Sequence, residues 1–181
     1  MVNRCQWIQG QADYYVAYHD QVWGKPLHED QALFKWLLLE SFHTGLSWRL
    51  VLSKYSNFQA AFDNFNYQMI AEYDDLKLAE LGDDPGIIRH PGKIAASRAN
   101  AQAFIRVQQE WGSFATYIWN FTQGQVIRDE SGSQYKRSQL SDQVAKDMKA
   151  RGFKFIGSVT IYSYLQAIGV YNHHDSQCDF S

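Results

Sequence analysis

Helical spacing dominates this chain, and no stretch alternates apolar and polar residues long enough to read as a strand. That pattern restricts the chain to an all-α architecture. In "QALFKWLLLESFH" after Asp30, Leu33, Leu37 and Glu40 fall within about 60° of arc on one face at ~100° per residue, and Asp30 is a plausible N-cap. The spacing continues through "LSWRLVLSKYSNFQAAFDNF" (46–65). Pro91 opens "PGKIAASRANAQAFIRVQQEW", where its fixed φ suits a first helical turn. "SFATYIWNF" and "SDQVAKDMKARG" read as two further helices, the second stopped by Gly152. "SVTIYSYLQAIG" is apolar all round, which predicts a buried helix. The polar stretch between about 122 and 140 is long for a helical connection and reads as a mobile loop.

The 181 residues suit one compact domain, 1–181, and the 6 Trp, 11 Tyr and 11 Phe argue for a packed interior or a stacking surface. No run approaches the ~18 apolar residues of a membrane helix, and the N-terminus lacks a signal-peptide core. A soluble cytoplasmic protein is therefore expected. The net charge of −2 neither announces nor excludes a nucleic-acid partner, since a local basic face suffices.

Two cysteines stand at opposite ends, Cys5 and Cys178, and His174 precedes Cys178 as H-x3-C. With His19 they would make a Cys2His2 set, which gives a neutral, closed zinc complex. The spacing C-x13-H is not a standard zinc-finger half. On spacing alone, two buried cysteines beside unrelated surface histidines remain the open alternative.

The blocks "RCQWIQGQADYYVAYHDQVWGKP", "LLLESFHTGLSW", "DPGIIRHPGKI", "RGFKFIGS" and "YLQAIGVYNHHDSQC" together resemble 3-methyladenine DNA glycosylase I, in order, from Cys5 to Cys178. The resemblance implies an all-α helix-hairpin-helix glycosylase fold. It implies one structural zinc per chain, held by Cys5, His19, His174 and Cys178 and tying the two ends together. His173 is the rival to His174, and the resemblance favours His174. It implies a pocket in which Glu40 hydrogen-bonds the extruded base, Tyr18 contacts its edge and Trp48 stacks on its face. Trp7 and Trp23 would wall that pocket, although isolated tryptophans are more often core. From the residues alone, Glu40 could equally be a helix-end glutamate reaching solvent, because an inward carboxylate is costly unless paired.

"RGFKFIGSVT" resembles the family's hairpin, with Gly157 giving a tight backbone and the amides from Ser158 onward facing a phosphate. Lys154 stands beside it. Lys146, Lys149 and Arg151 add charge there, and Arg89, His90, Lys93 and Arg98 form a second basic group. Departures from the family pattern are Ser158-Val159 after the hairpin glycine, Val22, Arg49, and "FHTG", which brings His43 and Thr44 near the pocket.

The implied reaction is hydrolysis of the N-glycosidic bond of 3-methyladenine in double-stranded alkylated DNA by a monomer, with Glu40 as the principal catalytic group. No nucleotide cofactor, membrane or strand cleavage is expected. Asp175, 18 residues after Gly157, lies between two presumed zinc ligands and is not expected to be catalytic. His43 motivates a second reading, a non-catalytic damage-binding paralogue. Retention of Tyr18, Glu40 and Trp48 together argues against it.

Overall fold

The computed structural model describes residues 2–181, with Ser133 described by its backbone alone. Ten α-helices make up most of the described chain, with two strands of two residues each. Helix α2 (Asp30–His43) is central, packing against α3 (Trp48–Ser53), α7 (Pro91–Trp111), α8 (Phe114–Asn120) and α10 (Ser158–Ala167). Every residue from Trp36 to Phe42 is buried, so α2 is enclosed on all sides. Phe34, Phe42, Phe58, Phe62, Phe104 and Phe114 are fully buried around it, each contributing roughly 1.5–3 kcal/mol by leaving water. The sequence reading did not single out α1 (Asp13–Gln21), α5 (Tyr67–Ala71) or α6 (Asp75–Asp83). None of the described helices is long and apolar enough to cross a membrane.

The cap of α2 is Glu29, not Asp30. The Glu29 carboxylate accepts from the Gln31 and Ala32 amides at 2.8 and 2.7 Å. Asp30 turns instead toward α8 and accepts from the Phe114 and Ala115 amides, both at 2.9 Å. An acidic pair at a helix start offers two carboxylates, and packing decides which of them caps.

The 46–65 stretch is not one helix. It divides into α3 and α4 (Tyr55–Ala61), then a turn at Asp63–Phe65 with φ of 49°, 55° and 59°. Three non-glycine residues in the left-handed region are strained. The turn is held by burial of Phe65, and Tyr73 donates to Asp63 at 2.5 Å.

The segment from 122 to 140 is also more tied down than its polarity predicts. Ile127–Arg128 (β1) pairs in parallel with Tyr171–Asn172 (β2), and the Tyr162 hydroxyl donates to the Gly132 carbonyl at 2.6 Å. Within α10, Val159 is 55% exposed, so that helix is buried along most of its surface but not all round.

Gly169 has φ +75°, and a Cβ there would lie 2.1 Å from the Lys25 backbone, so the close crossing of these segments requires glycine. The two ends of the chain meet. The Asn3 amide donates to Asp179 Oδ2 at 2.8 Å, and the Asp179 amide returns a bond to the Asn3 carbonyl at 3.0 Å.

Candidate functional site

Helix α1 presents two faces to two sites. Tyr15 and Tyr18, one turn apart, face a cleft of about 470 Å³, whereas His19 turns into the junction of the chain ends. Trp48, the first residue of α3, lines the same cleft with Trp7 and Trp23, and Gln134, Ser163 and Gln166 complete the wall. The volume lies in the range of small-molecule sites. The Tyr18 and Trp48 ring centroids are 5.5 Å apart, and those of Trp7 and Trp23 are 4.9 Å apart. The indole nitrogens of Trp7 and Trp48 are buried without a partner.

Glu40 has no exposed surface and does not line the cleft itself, but it is joined to the wall through Ser163. Its Oε1 accepts from Ser163 Oγ at 2.7 Å, and its Oε2 is 2.8 Å from His43 Nδ1. Burial raises its pKa, while the bonds from His43 and Ser163 oppose that shift. Burial also raises the Tyr18 hydroxyl well above its usual range, so that group stays neutral. Tyr15, Ser163, Gln134 and Gln166 escaped the sequence reading. The turn from Tyr15 to Tyr18 was a usable signal; the others reach the cleft only through tertiary packing.

At the chain ends, one donor atom each from Cys5, His19 and Cys178 lie within 4.8 Å of one another, all three residues buried. Asp20 takes His19 Nδ1 at 2.8 Å and is itself paired with Arg4 at 2.8 Å, leaving His19 Nε2 to face Cys178. His174 stands beside this group, its ring 4.9 Å from that of His19. Its Nδ1 is bonded to Asn172, and its Nε2 is buried without a partner. Burial lowers its pKa to about 4, which keeps the imidazole neutral. His173 differs: Nδ1 meets the Asp129 carbonyl at 2.5 Å and Nε2 meets Tyr162 at 3.1 Å, so both ring nitrogens are engaged. Burial pushes the Cys5 thiol up to about 12. Asp175 belongs to this region, its amide donating to Cys5 Sγ at 3.3 Å and its carboxylate accepting from the Gln6 amide at 3.1 Å.

The segment between α9 (Gln139–Ala150) and α10, expected to be a hairpin, departs from expectation in one respect. Gly157 has φ −60°, which any residue adopts; the left-handed positions are Gly152 and Phe155. No side chain caps α10, and a Cβ at Gly157 would meet nothing within 4 Å. The first amides of α10 are therefore left without a side-chain acceptor at the cap. Asn100 clamps the Lys154 backbone, accepting from its amide at 2.7 Å and donating to its carbonyl at 3.0 Å. The basic groups are thinner than their count suggests. Lys93 is buried, its ammonium on the carbonyls of Phe42 and Thr44, while Arg98 and Arg151 are ion-paired. Lys146, Lys149, Lys154, Arg89 and His90 remain exposed.

A family model described as methyladenine glycosylase matches residues 7–181. The chain is 38% identical to DNA-3-methyladenine glycosylase 1 of Escherichia coli (strain K12), over 98% of this chain and 96% of that protein. It superposes with TM-score 0.92 on a crystal structure of 3-methyladenine DNA glycosylase I, at 38% identity and 98% coverage of each chain. A tyrosine-to-phenylalanine variant of 3-methyladenine DNA glycosylase I, crystallised with 3-methyladenine, also superposes with TM-score 0.92, at 34% identity over 98% of this chain and 97% of that one.

Proposed function

The chain belongs to the methyladenine glycosylase family and is a base-excision repair enzyme for 3-methyladenine, and we propose that Glu40, Tyr18 and Trp48 are the residues that hold the flipped base. The observation that carries this reading is a wholly buried carboxylate set behind an aromatic cleft, with Ser163 and His43 donating to it. Each Glu40 oxygen keeps acceptor capacity beyond the bond it already receives. A purine methylated at N3 is cationic in DNA, so it gains from a carboxylate partner and from stacking on an electron-rich ring. Trp48 supplies the face, Tyr18 the edge contact, and Trp7 and Trp23 the walls.

The charge of the lesion also explains why no strong acid is needed. As the C1′–N9 bond breaks, its electron pair moves onto the purine and cancels the cation, so 3-methyladenine leaves neutral. Water adds to the oxocarbenium-like C1′ and loses a proton, leaving an abasic site. Asp175, occupied by Gln6 and placed beside Cys5, has no part in this scheme. Nor does any lysine, which is why we expect no strand cleavage.

Cys5, His19, His174 and Cys178 fit a structural zinc. Three of them converge already, and the fourth offers a buried nitrogen with no other partner. A closed Cys2His2 shell has no position for water, and the ion's chemistry there is that of a cross-link. His19 and His174 donate from Nδ1 to Asp20 and Asn172, which leaves Nε2 of each ring for the ion. Because Tyr18 directly precedes His19, the same anchorage steadies the base pocket.

We read 151–158 as the hairpin of a helix-hairpin-helix motif, with the open start of α10 and Lys154 on a phosphate of double-stranded DNA and the chain acting as a monomeric single domain. Gly157→Leu and Lys154→Glu should each weaken binding to damaged and undamaged duplex alike. For Lys154→Glu, the salt dependence should fall by roughly one unit of slope. The backbone at Gly157 tolerates a side chain, so Gly157→Leu should fold normally. Affinity lost only for methylated duplex would contradict the assignment. The reading as a whole is tested by incubating the protein with methylated duplex DNA and identifying the released bases by chromatography. Absence of free 3-methyladenine would refute it in favour of the damage-binding paralogue.

A further inference from the structure

We propose that His43 is a positioning residue for base release, holding Glu40 through Nδ1 so that the pair, and not the carboxylate alone, sets the negative charge the flipped base meets. The proposal rests on the role given to Glu40 above.

His43 is the last residue of α2, one turn beyond Glu40, and its Nδ1 lies 2.8 Å from Oε2. A contact of that length to a carboxylate requires a donor, so Nδ1 carries the proton whether the ring is neutral or charged. The ring also leans on Trp48, with centroids 5.2 Å apart and planes at 48°. His43 therefore touches both groups assigned to the base, one at its carboxylate and one at its stacking face. Its side chain is 23% exposed, whereas that of Glu40 is wholly enclosed, so the imidazole joins the buried carboxylate to solvent.

The other groups packed around the pair are neutral or occupied elsewhere. From α10, Ser163 is neutral and already donates to Oε1. From α3, Trp48 is neutral. From α1, Tyr15 and Tyr18 face Glu40 and are kept neutral by burial and by its charge. From α7, the Lys93 ammonium sits on the carbonyls of Phe42 and Thr44, on either side of His43. Glu40 is thus the only anion among these groups. With His43 and Ser163 donating to it, Glu40 stays fixed as the charge that a cationic base meets.

The test is single-turnover release of 3-methyladenine from methylated duplex by wild type, H43A and H43Q. Uncatalysed release is subtracted, and circular dichroism checks folding. H43A removes the donor and should be about tenfold slower. H43Q restores a donor and should recover much of the rate. An H43A rate that matches wild type, or an H43Q rate no better than that of H43A, overturns the proposal. Should H43A fail to fold, H43Q decides alone, a rate about tenfold below wild type overturning the proposal. A wild-type protein releasing no 3-methyladenine would refute the functional reading itself, a result distinct from either variant outcome.

Discussion

Cys178→Ala is expected to abolish the proposed zinc binding and lower the melting temperature by roughly 10 °C, since a few kcal/mol shifts Tm by roughly 2–4 °C per kcal/mol in a chain of this size. Without the ion, Cys5 and Cys178 are buried thiols and His174 Nε2 is a buried nitrogen with no partner. A group left in that state costs about 1–3 kcal/mol. The reciprocal Asn3–Asp179 bonds hold the ends only at the surface, so loss of the metal should loosen both termini. Acid should act in the same direction. In the metal-free fold His174 has its pKa lowered to about 4, below the ~6.5 of an unfolded histidine, so the unfolded chain takes up the proton first. Stability contributed by the neutral imidazole is present above about pH 6.5 and is lost as pH falls toward 4. Elemental analysis should find about one zinc per chain in wild type. Metal-free protein that melts and performs like the loaded form would remove the basis for this site.

Glu40→Gln should slow single-turnover release of 3-methyladenine by roughly one to two powers of ten, the worth of a charge-assisted hydrogen bond of ~1.5–3 kcal/mol. The amide keeps the size of the side chain but not its charge. It also presents a donor toward either Ser163 or His43, both of which donate to the carboxylate at 2.7–2.8 Å. Trp48→Ala should cost a comparable amount, because base–aromatic stacking is worth about 1–3 kcal/mol. Tyr18→Phe removes one hydroxyl while keeping the ring, so its effect should be smaller. Asp175→Asn should leave the rate nearly unchanged, since that carboxylate serves the Gln6 amide at the chain ends. Folding and zinc content of each variant are measured first. A silent Glu40→Gln alongside an inactive Asp175→Asn would mean that the chemistry belongs to the other carboxylate.

Local spacing alone determines that this is a helical protein. The period through α2, the proline opening α7 and the apolar run of α10 are each readable within a few turns, because the forces that set them act between neighbours in sequence. The ordered blocks likewise carry the family resemblance, and with it Tyr18, Glu40, Trp48 and the four candidate zinc ligands. Tertiary structure alone decided the matters that turn on long-range pairing. Ser163 reaches Glu40 from 123 residues away, and nothing in α10 marks it for that role. Asp30 surrendered the cap to Glu29 because α8 supplied it with two other amides. Lys93, counted as a surface cation, is buried because the carbonyls ending α2 need donors that only α7 brings near. Of the two adjacent histidines, His173 is consumed by Asp129 and Tyr162, while His174 keeps a free nitrogen beside the cysteines. A hydrogen bond has a direction and a partner; a hydrophobic period has neither, so the period can be read along the chain and the partner appears only once the chain has folded.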